Sequence, residues 1–462
     1  MADASRIDEG KERPKVALVG LGCRVNRSDL DSLADELADP FVLVGDGERP
    51  DYVVVNTCTV TADADATARQ AIRRAARKNP GARILVAGCY AEVRPDELRS
   101  LPNVVAVVGA RSRHLVAETL QQLHERWLGE ARTAIPSGLI TAAEGPAPDR
   151  RCGSAGELGL HAVLPNGHTR ALLKIQDGCD ACCAYCVVPR ARGRSRSLRL
   201  DEALERIAGL GQRSREVVLS GVHIGAYGAD LSPPASLSEL VCAASSRGLA
   251  HRLRLSSIEP GELPIELFDG PARGRLCEHV HLPLQSGSAR VLAAMRRPYT
   301  PSAYAAIVER FAKAVPRACI GADVLAGFPG ETDEDHRATL ALAESLPFAY
   351  LHVFVFSPRP GTAAAGMAGQ VSPKLARARA RELSAFSARR WRGFVSAQRG
   401  RELEVVVERV SGGMAIGTAR EYVAVRWSAG RERRGDLARV RVEAVDGEEC
   451  LGVGAAEAAS RP

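Results

Sequence analysis

No run of apolar residues in this chain approaches the ~20 needed to cross a bilayer. The opening stretch, MADASRIDEGKERPK, is polar and carries both charge signs, so it lacks the apolar core of a secretory signal. Together these absences predict a cytoplasmic protein with no membrane partner. No internal repeat and no extended low-complexity tract is present either, which leaves ordinary globular domains. Apolar residues make up 45% and charged residues 25% of the 462, values that exclude disorder across the whole chain. A length of this order predicts about three domains.

What is present is more specific. The chain holds 12 cysteines. Reducing thiol pools make a disulfide framework improbable in the cytoplasm, so clustered cysteines point to metal or redox chemistry. The net charge is +7, from 62 basic and 55 acidic residues, which permits a polyanionic partner without requiring one.

Short β-rich runs and helical patterns alternate through the first hundred residues. KVALVGLG, DYVVVN, RILVAG and NVVAVVG read as strands, separated by SDLDSLADELAD and TADADATARQAIRRAARK as helices. That alternation predicts a parallel sheet with crossover helices over residues 14–127. Residues 128–164, rich in Gly, Pro and charge, read as a linker, within which Cys152 is an incidental thiol. Six further strand–helix units follow in 165–396: RALLKIQ, REVVLS, HRLRLSS, HVHL, ACIGADVLAG and YLHVFVF, with helices beginning near Asp201, Ser236, Pro264, Ser288, Pro301 and Thr332. They predict a partial or complete parallel barrel with its reactive face at the carboxyl ends of the strands. Residues 397–458 switch to short alternating strands, ELEVVVERV, MAIGTAREYVAVRW and ARVRVEAV, and read as a small all-β barrel. The fold class is therefore α/β: a parallel-sheet domain, a (β/α) barrel and a small β-barrel.

Cys179, Cys183 and Cys186 follow the first barrel strand with three and two residues between them. This spacing lets three thiolates on one loop hold one corner of an iron–sulfur cube and leave one iron open. A structural zinc site with Cys182 as a fourth ligand is the alternative, but such sites more often use paired C-x2-C knuckles. Cys23, Cys58 and Cys89 each come directly after an N-terminal strand. A parallel sheet brings those positions to one edge, where binding crevices form; three unrelated buried cysteines would be the bland reading. Cys242, Cys277, Cys319 and Cys450 show no such arrangement and read as small apolar residues.

The strings LGCRVN, NTCTVTADADATAR, AGCYAE, GCDACCAYCVVPRARGRSRS, LSGVHIGAYG, RLSSIEP, HLPLQSGS, MRRPYT, GFPGETDED and HVFVFSPRPGT resemble, in order and spacing, the methylthiotransferases of the radical S-adenosylmethionine superfamily. TCTVT and AGCY resemble the branch that acts on threonylcarbamoyladenosine in tRNA (MtaB-type). Other branches act on isopentenyladenosine tRNA or a ribosomal protein. The resemblance implies that Cys179, Cys183 and Cys186 hold a 4Fe-4S cluster whose open iron chelates S-adenosylmethionine and whose reduction releases a 5′-deoxyadenosyl radical. It implies a second 4Fe-4S cluster on Cys23, Cys58 and Cys89, carrying the sulfur that is methylated and transferred to carbon 2 of the adenine at position 37. It implies tRNA as substrate, an electron donor such as flavodoxin or ferredoxin, and no catalytic side chain beyond the cluster ligands. A non-catalytic, zinc-containing RNA-binding protein is the rival from another class.

Gly221 and Gly225, after one strand, read as places where backbone approaches a ligand closely. Ser256 and Glu259, after another, offer polar groups to a ribose or amino group, and Gln285 and Ser286 stand at the next strand end. Turn chemistry and helix capping are the plainer reading of each. Thr332 reads as a helix N-cap.

Arg190, Arg192, Arg194, Arg196 and Arg199 form a run with no acidic residue. A second basic stretch holds Lys374, Arg377, Arg379, Arg381, Arg389, Arg390, Arg392, Arg399 and Arg401 against Glu382 alone. Both predict phosphate contacts, the alternative being a solvated charged face. The C-terminal module resembles a TRAM domain, yet Arg399 to Cys450 holds ten basic and ten acidic residues. RNA binding there would rest on placed residues such as Tyr422, Arg426 and Trp427, whose alternative is strand packing.

Overall fold

The computed structural model describes residues 13–129, 140–141 and 169–454, apart from 271. The chain divides into two compact units between residues 161 and 162. Most of the predicted linker, with Cys152, lies outside the described residues, as do the last residues of the predicted C-terminal barrel. No described helix is long and apolar enough to cross a membrane.

The first unit is a six-stranded parallel sheet in the order β2-β1-β3-β4-β5-β6. Its strands are β1 (Lys15–Gly20), β2 (Val42–Val44), β3 (Tyr52–Thr57), β4 (Arg83–Gly88), β5 (Val104–Gly109) and β6 (Ile140–Thr141). Two of these escape the sequence reading. β2 is three residues long, and β6 falls inside the predicted linker. The central strands β3 and β4 are buried along their whole length and apolar through their middles because both faces are covered. Val53, Val55, Ile84 and Val86 meet Ala68 and Ile72 of α2 (Ala62–Lys78) on one side. On the other, Tyr52, Val54 and Leu85 meet Leu33 and Leu37 of α1 (Arg24–Leu37) and Leu120 of α5 (Val116–Gly129). The short helices α3 (Cys89–Val93) and α4 (Pro95–Arg99) follow β4.

The second unit holds six parallel strands in two ladders. β11 (Arg252–Leu255), β10 (Glu216–Ser220) and β7 (Arg170–Lys174) form one; β12 (His279–His281), β13 (Cys319–Ala326) and β14 (Tyr350–Val355) form the other. Parallel bridges Leu253↔Leu276 and Ser257↔His281 join them. The result is a partial barrel. A second small pairing, β8 (Gln176–Asp177) with β9 (Arg196–Ser197), closes the base of the cysteine loop. Helices α6 (Val188–Arg192), α7 (Leu200–Arg213), α8 (Leu237–Ser246), α9 (Glu266–Asp269), α10 (Ala289–Ala294), α11 (Pro301–Ala314) and α12 (Asp333–Ser345) connect the strands. Thr332 caps α12 as predicted, in a capping box with Asp335.

A 24-residue helix, α13 (Pro373–Ser396), runs along β14 where the sequence shows chiefly a basic stretch. The Ser387 hydroxyl accepts from the Leu351 N–H at 2.8 Å and donates to the Leu351 carbonyl at 3.0 Å. Five strands then close a barrel in the order β15-β16-β17-β19-β18: β15 (Glu402–Ser411), β16 (Met414–Ala419), β17 (Ala424–Ser428), β18 (Leu437–Asp446) and β19 (Glu449–Gly454). MAIGTAREYVAVRW is thus two strands, turning at Tyr422, whose φ is 69°.

This small barrel shares one compact unit with the α/β barrel, and a buried ion network explains why. Glu216, fully buried, accepts from Arg252 Nε at 2.7 Å and from Arg254 Nε at 2.6 Å. The two guanidinium groups reach on to the carbonyls of Glu404, Thr418, Ala419 and Arg420 in the C-terminal barrel. Tyr422 stacks on His279, with ring centroids 4.3 Å apart, and lies under Arg254. Burial works against ionisation of Glu216, but Arg254 and Arg252 outweigh it and hold the carboxyl well below the usual range.

Candidate functional site

In the first unit, register gathers the three strand-end cysteines. Gly20 pairs with Asn56 and Thr57 with Gly88, so Cys58 and Cys89 leave neighbouring strands side by side. Cys23 is the N-cap residue of α1. Gly22 takes φ +96°, and a Cβ there would stand 2.4 Å from Cys58 Cβ. Only glycine lets the Cys23 turn press against Cys58. Asn26 ties the strand ends together: its Nδ2 donates to the Leu21 and Thr57 carbonyls, and its Oδ1 lies 3.8 Å from Cys89 Sγ. The sequence reading passed over Asn26. Cys23 is exposed and the other two are buried.

In the second unit, the loop after β8 carries Cys179, Cys183 and Cys186, none in a disulfide. The Ala181 N–H points at Cys179 Sγ at 3.4 Å, and the Cys186 N–H donates to the Cys183 carbonyl at 3.1 Å. Arg297 Nη1 lies 3.3 Å from Cys183 Sγ while its Nη2 pairs with Glu259. His223 Nδ1 stands 3.7 Å from Cys179 Sγ and its Nε2 2.9 Å from Glu262. Burial pushes the Cys186 thiol up to about 12, so near neutral pH it would ionise only as a bound metal displaces its proton into solvent. Cys182 is exposed, its Sγ 3.9 Å from the Asp180 carbonyl. Ser220 at the end of β10 and Ser256 just beyond β11 have buried hydroxyls with no hydrogen-bond partner. Three converging thiols, a backbone N–H aimed at sulfur and unpaired hydroxyls at the strand ends form a donor set that fits a cluster and a polar ligand. Arg297 and His223 lie within the quoted strings MRRPYT and LSGVHIGAYG, but their sulfur contacts arise from tertiary folding.

Several expectations change. Gly221 does not open space for a ligand: a Cβ there would meet the Gln176 carbonyl at 2.8 Å and Ile224 at 2.9 Å, so its smallness serves packing within the chain. Glu259 is engaged by Arg297 and acts beside the cysteine loop through it. Gln285 holds a left-handed φ of 65°, and its backbone bridges to β13 through the Asp323 carbonyl and the Leu325 N–H.

The arginine run does not present itself whole to phosphates. Arg192 is buried, donating to Asp177 at 2.9 and 3.0 Å, with Lys174 on the same carboxylate. Arg390 points inward at the Leu346 and Phe348 carbonyls, and Arg379 is buried against Glu331 and Asp333. Each is structural because its guanidinium satisfies groups that burial would otherwise orphan. Arg190 is exposed but donates to the Pro360 carbonyl; Arg194, Arg389 and Arg392 are exposed and Arg196 half-buried. Trp427 is in the core of the small barrel and Tyr422 is wedged on His279, so strand packing accounts for both. Arg426 pairs with Asp446 and Glu449.

Residues 15–109 match the Uncharacterized protein family UPF0004, and residues 173–343 match the Radical SAM superfamily. The chain is 33% identical over 438 residues to the threonylcarbamoyladenosine tRNA methylthiotransferase MtaB of Bacillus subtilis, covering 92% of this chain and 93% of that protein. It is 32% identical over 442 residues to the tRNA-2-methylthio-N(6)-dimethylallyladenosine synthase of a Parafrankia species, covering 93% and 84%. Among solved structures, the radical S-adenosylmethionine methyltransferase TsrM from Kitasatospora setae, with tryptophan and an S-adenosylmethionine analogue bound, covers 77% of this chain and 75% of its own at TM-score 0.56 and 19% identity. That is a likeness of fold.

Proposed function

The chain belongs to the methylthiotransferases of the radical S-adenosylmethionine superfamily, and from that premise we propose that it adds a methylthio group to carbon 2 of N6-threonylcarbamoyladenosine at position 37 of tRNA. It is a transferase, with S-adenosylmethionine and 4Fe-4S clusters as cofactors. Cys179, Cys183 and Cys186 would hold one cluster and Cys23, Cys58 and Cys89 the other. Bound there, the clusters and S-adenosylmethionine supply reductive sulfonium cleavage, hydrogen abstraction and a sulfur to transfer.

The chain's own part is placement. Ala181 N–H and Arg297 put hydrogen-bond donors on two of the sulfurs and so fix where they sit. His223 braces Cys179 against Glu262, and Asn26 fixes the three strand ends that carry the second thiol set. Ser220 and Ser256 offer hydroxyls to a polar ligand at the carboxyl ends of the strands. The observation that carries the proposal is the second triad, set by sheet register at one edge. A radical enzyme needing only one cluster has no use for it. An electron donor of flavodoxin or ferredoxin type and a cytoplasmic setting complete the reading.

Nucleoside mass spectrometry of tRNA from cells lacking and regaining the gene tests the substrate. We expect 2-methylthio-N6-threonylcarbamoyladenosine to vanish and return. Its persistence in the deletion strain, or loss of the isopentenyl derivative instead, overturns the substrate.

For tRNA contact, the exposed arginines are the remaining candidates. Arg194→Gln and Arg392→Gln are expected to lower affinity for a tRNA hairpin and to reduce the slope of log affinity against log salt by about 0.7–0.9 for each lost phosphate contact. Arg192→Gln, which breaks a buried pair, is expected to lower the melting temperature and leave that slope alone. Fluorescence anisotropy across a salt series and thermal melts separate the two outcomes.

A further inference from the structure

Arg254 from β11 and His279 from β12 both pack on Tyr422, so these side chains share the concave side of the half-barrel, which the Tyr422 turn stops at its amino-terminal end. Going up the strands on that side, His281 stands level with Gly321, Asp323 with His352, and Leu325 with Phe354. His281 Nε2 bonds Asp323 at 2.8 Å and its Nδ1 bonds the Tyr350 hydroxyl at 3.1 Å. His352 Nδ1 is 3.6 Å from the same Asp323 oxygen. These three residues offer ligand atoms within 4.8 Å of one another, as a metal would require. His281 is engaged at both nitrogens, however, so the group is a hydrogen-bonded chain rather than an open ligand set.

The residues above that chain are unusual. β14 alternates, with His352 and Phe354 exposed on one face. Among the described residues, five large apolar side chains are markedly exposed, and Phe354, at 42%, is the one aromatic. Its register partner Leu325 packs with Ala184 and Tyr185 of the cysteine loop. Phe354 therefore stands one strand away from the loop that carries Cys183 and Cys186.

We propose that the concave face of β14 is the seat of the target base: Phe354 stacks on the purine ring, and His352, held beside Asp323, meets its edge. The proposal rests on the tRNA-modifying reading above and deepens it. Enzymes that act on a base extrude it from the stack, and an extruded base regains on an aromatic side chain the stacking it has lost. No other exposed aromatic of this kind lies among the described residues, and this one is beside the cysteine loop.

A double-mutant cycle tests it. Binding of an anticodon-hairpin RNA carrying threonylcarbamoyladenosine is measured with anaerobic holoenzyme, wild type and Phe354→Ala, and again with the target nucleotide made abasic. Each single change is expected to weaken binding about 10-fold, the range of base–aromatic stacking, and the two together no more than either alone. Independent losses, multiplying to about 100-fold, overturn the seat. Phe354→Trp and Phe354→Tyr are expected to restore affinity to within a few-fold, and failure of both to bind better than Phe354→Ala also overturns it. If wild-type holoenzyme forms methylthiolated product but the cycle is independent, the seat alone falls. If it forms none on either hairpin or intact tRNA, the function itself falls.

Discussion

Cys183→Ala is expected to abolish reductive cleavage of S-adenosylmethionine, whereas Cys23→Ala is expected to keep cleavage and stop methylthiolation. The first change removes a sulfur from the loop that carries four thiols within eight residues, 179 to 186, three of them in the C-x3-C-x2-C spacing. Arg297 would then face an alanine where it now meets Cys183 Sγ at 3.3 Å. Two thiolates do not retain a cubane that leaves one iron open. Cys23 belongs to the other unit, at the N-terminus of α1. Its removal leaves the second unit's cysteine loop intact, and Asn26 still ties Cys58 and Cys89 to the sheet. Iron and sulfide quantitation, with 5′-deoxyadenosine and methylthio-nucleoside assays on anaerobic preparations, reads both. Wild type should be brown and carry about eight irons, and each variant about four. Methylthiolated product from Cys23→Ala would defeat the division of labour. Colourless wild type with stoichiometric zinc would defeat both clusters.

Glu216→Ala is expected to be among the most destabilising single changes in the chain. It strands Arg252 and Arg254, both fully buried, opposite an apolar methyl. Breaking a buried ion pair by deleting one partner costs about 3–5 kcal/mol. For a unit of this size that is on the order of 10 °C in melting temperature. The loss should also detach the C-terminal barrel, because those guanidinium groups hold its carbonyls. Thermal melts and limited proteolysis at the junction after α13 read the two effects. The pH dependence has a definite sign. The folded carboxyl lies below its ordinary value of 4.5, so its contribution is complete above that pH and drains away as acid protonates it. A Glu216→Ala variant that melts within 2 °C of wild type, about 1 kcal/mol in a unit of this size, would show that the network carries far less stability than about 3–5 kcal/mol.

The architecture was largely legible in the chain. Parallel strands announce themselves as short apolar runs between helical patterns, and cysteines directly after three such runs must share an edge. The Cys23, Cys58 and Cys89 set was visible for that reason, and the spacing of Cys179, Cys183 and Cys186 along one loop showed the other. What stayed hidden is what only side-chain partners decide. Arg192 reads as a phosphate ligand until Asp177 is seen beside it, 15 residues away in sequence. Arg379 disguised a long helix as a charge run. β2, three residues at the sheet edge, is too short to carry a period. Trp427 and Tyr422 could be binding residues or packing residues on composition alone, and burial chose packing. The His281–Asp323–His352 chain draws on three strands, so no local pattern contains it.

The Ser387 hydroxyl has a consequence for solubility. A half-closed barrel leaves β14 as a terminal strand, and an unpaired ladder invites another chain to add to it. Ser387 occupies both the donor and the acceptor of Leu351, and Arg390 takes the carbonyls of Leu346 and Phe348 just before the strand. α13 thus blocks recruitment of a foreign strand with a few polar side chains, and the lumen can stay open toward its ligand without exposing the molecule to self-assembly.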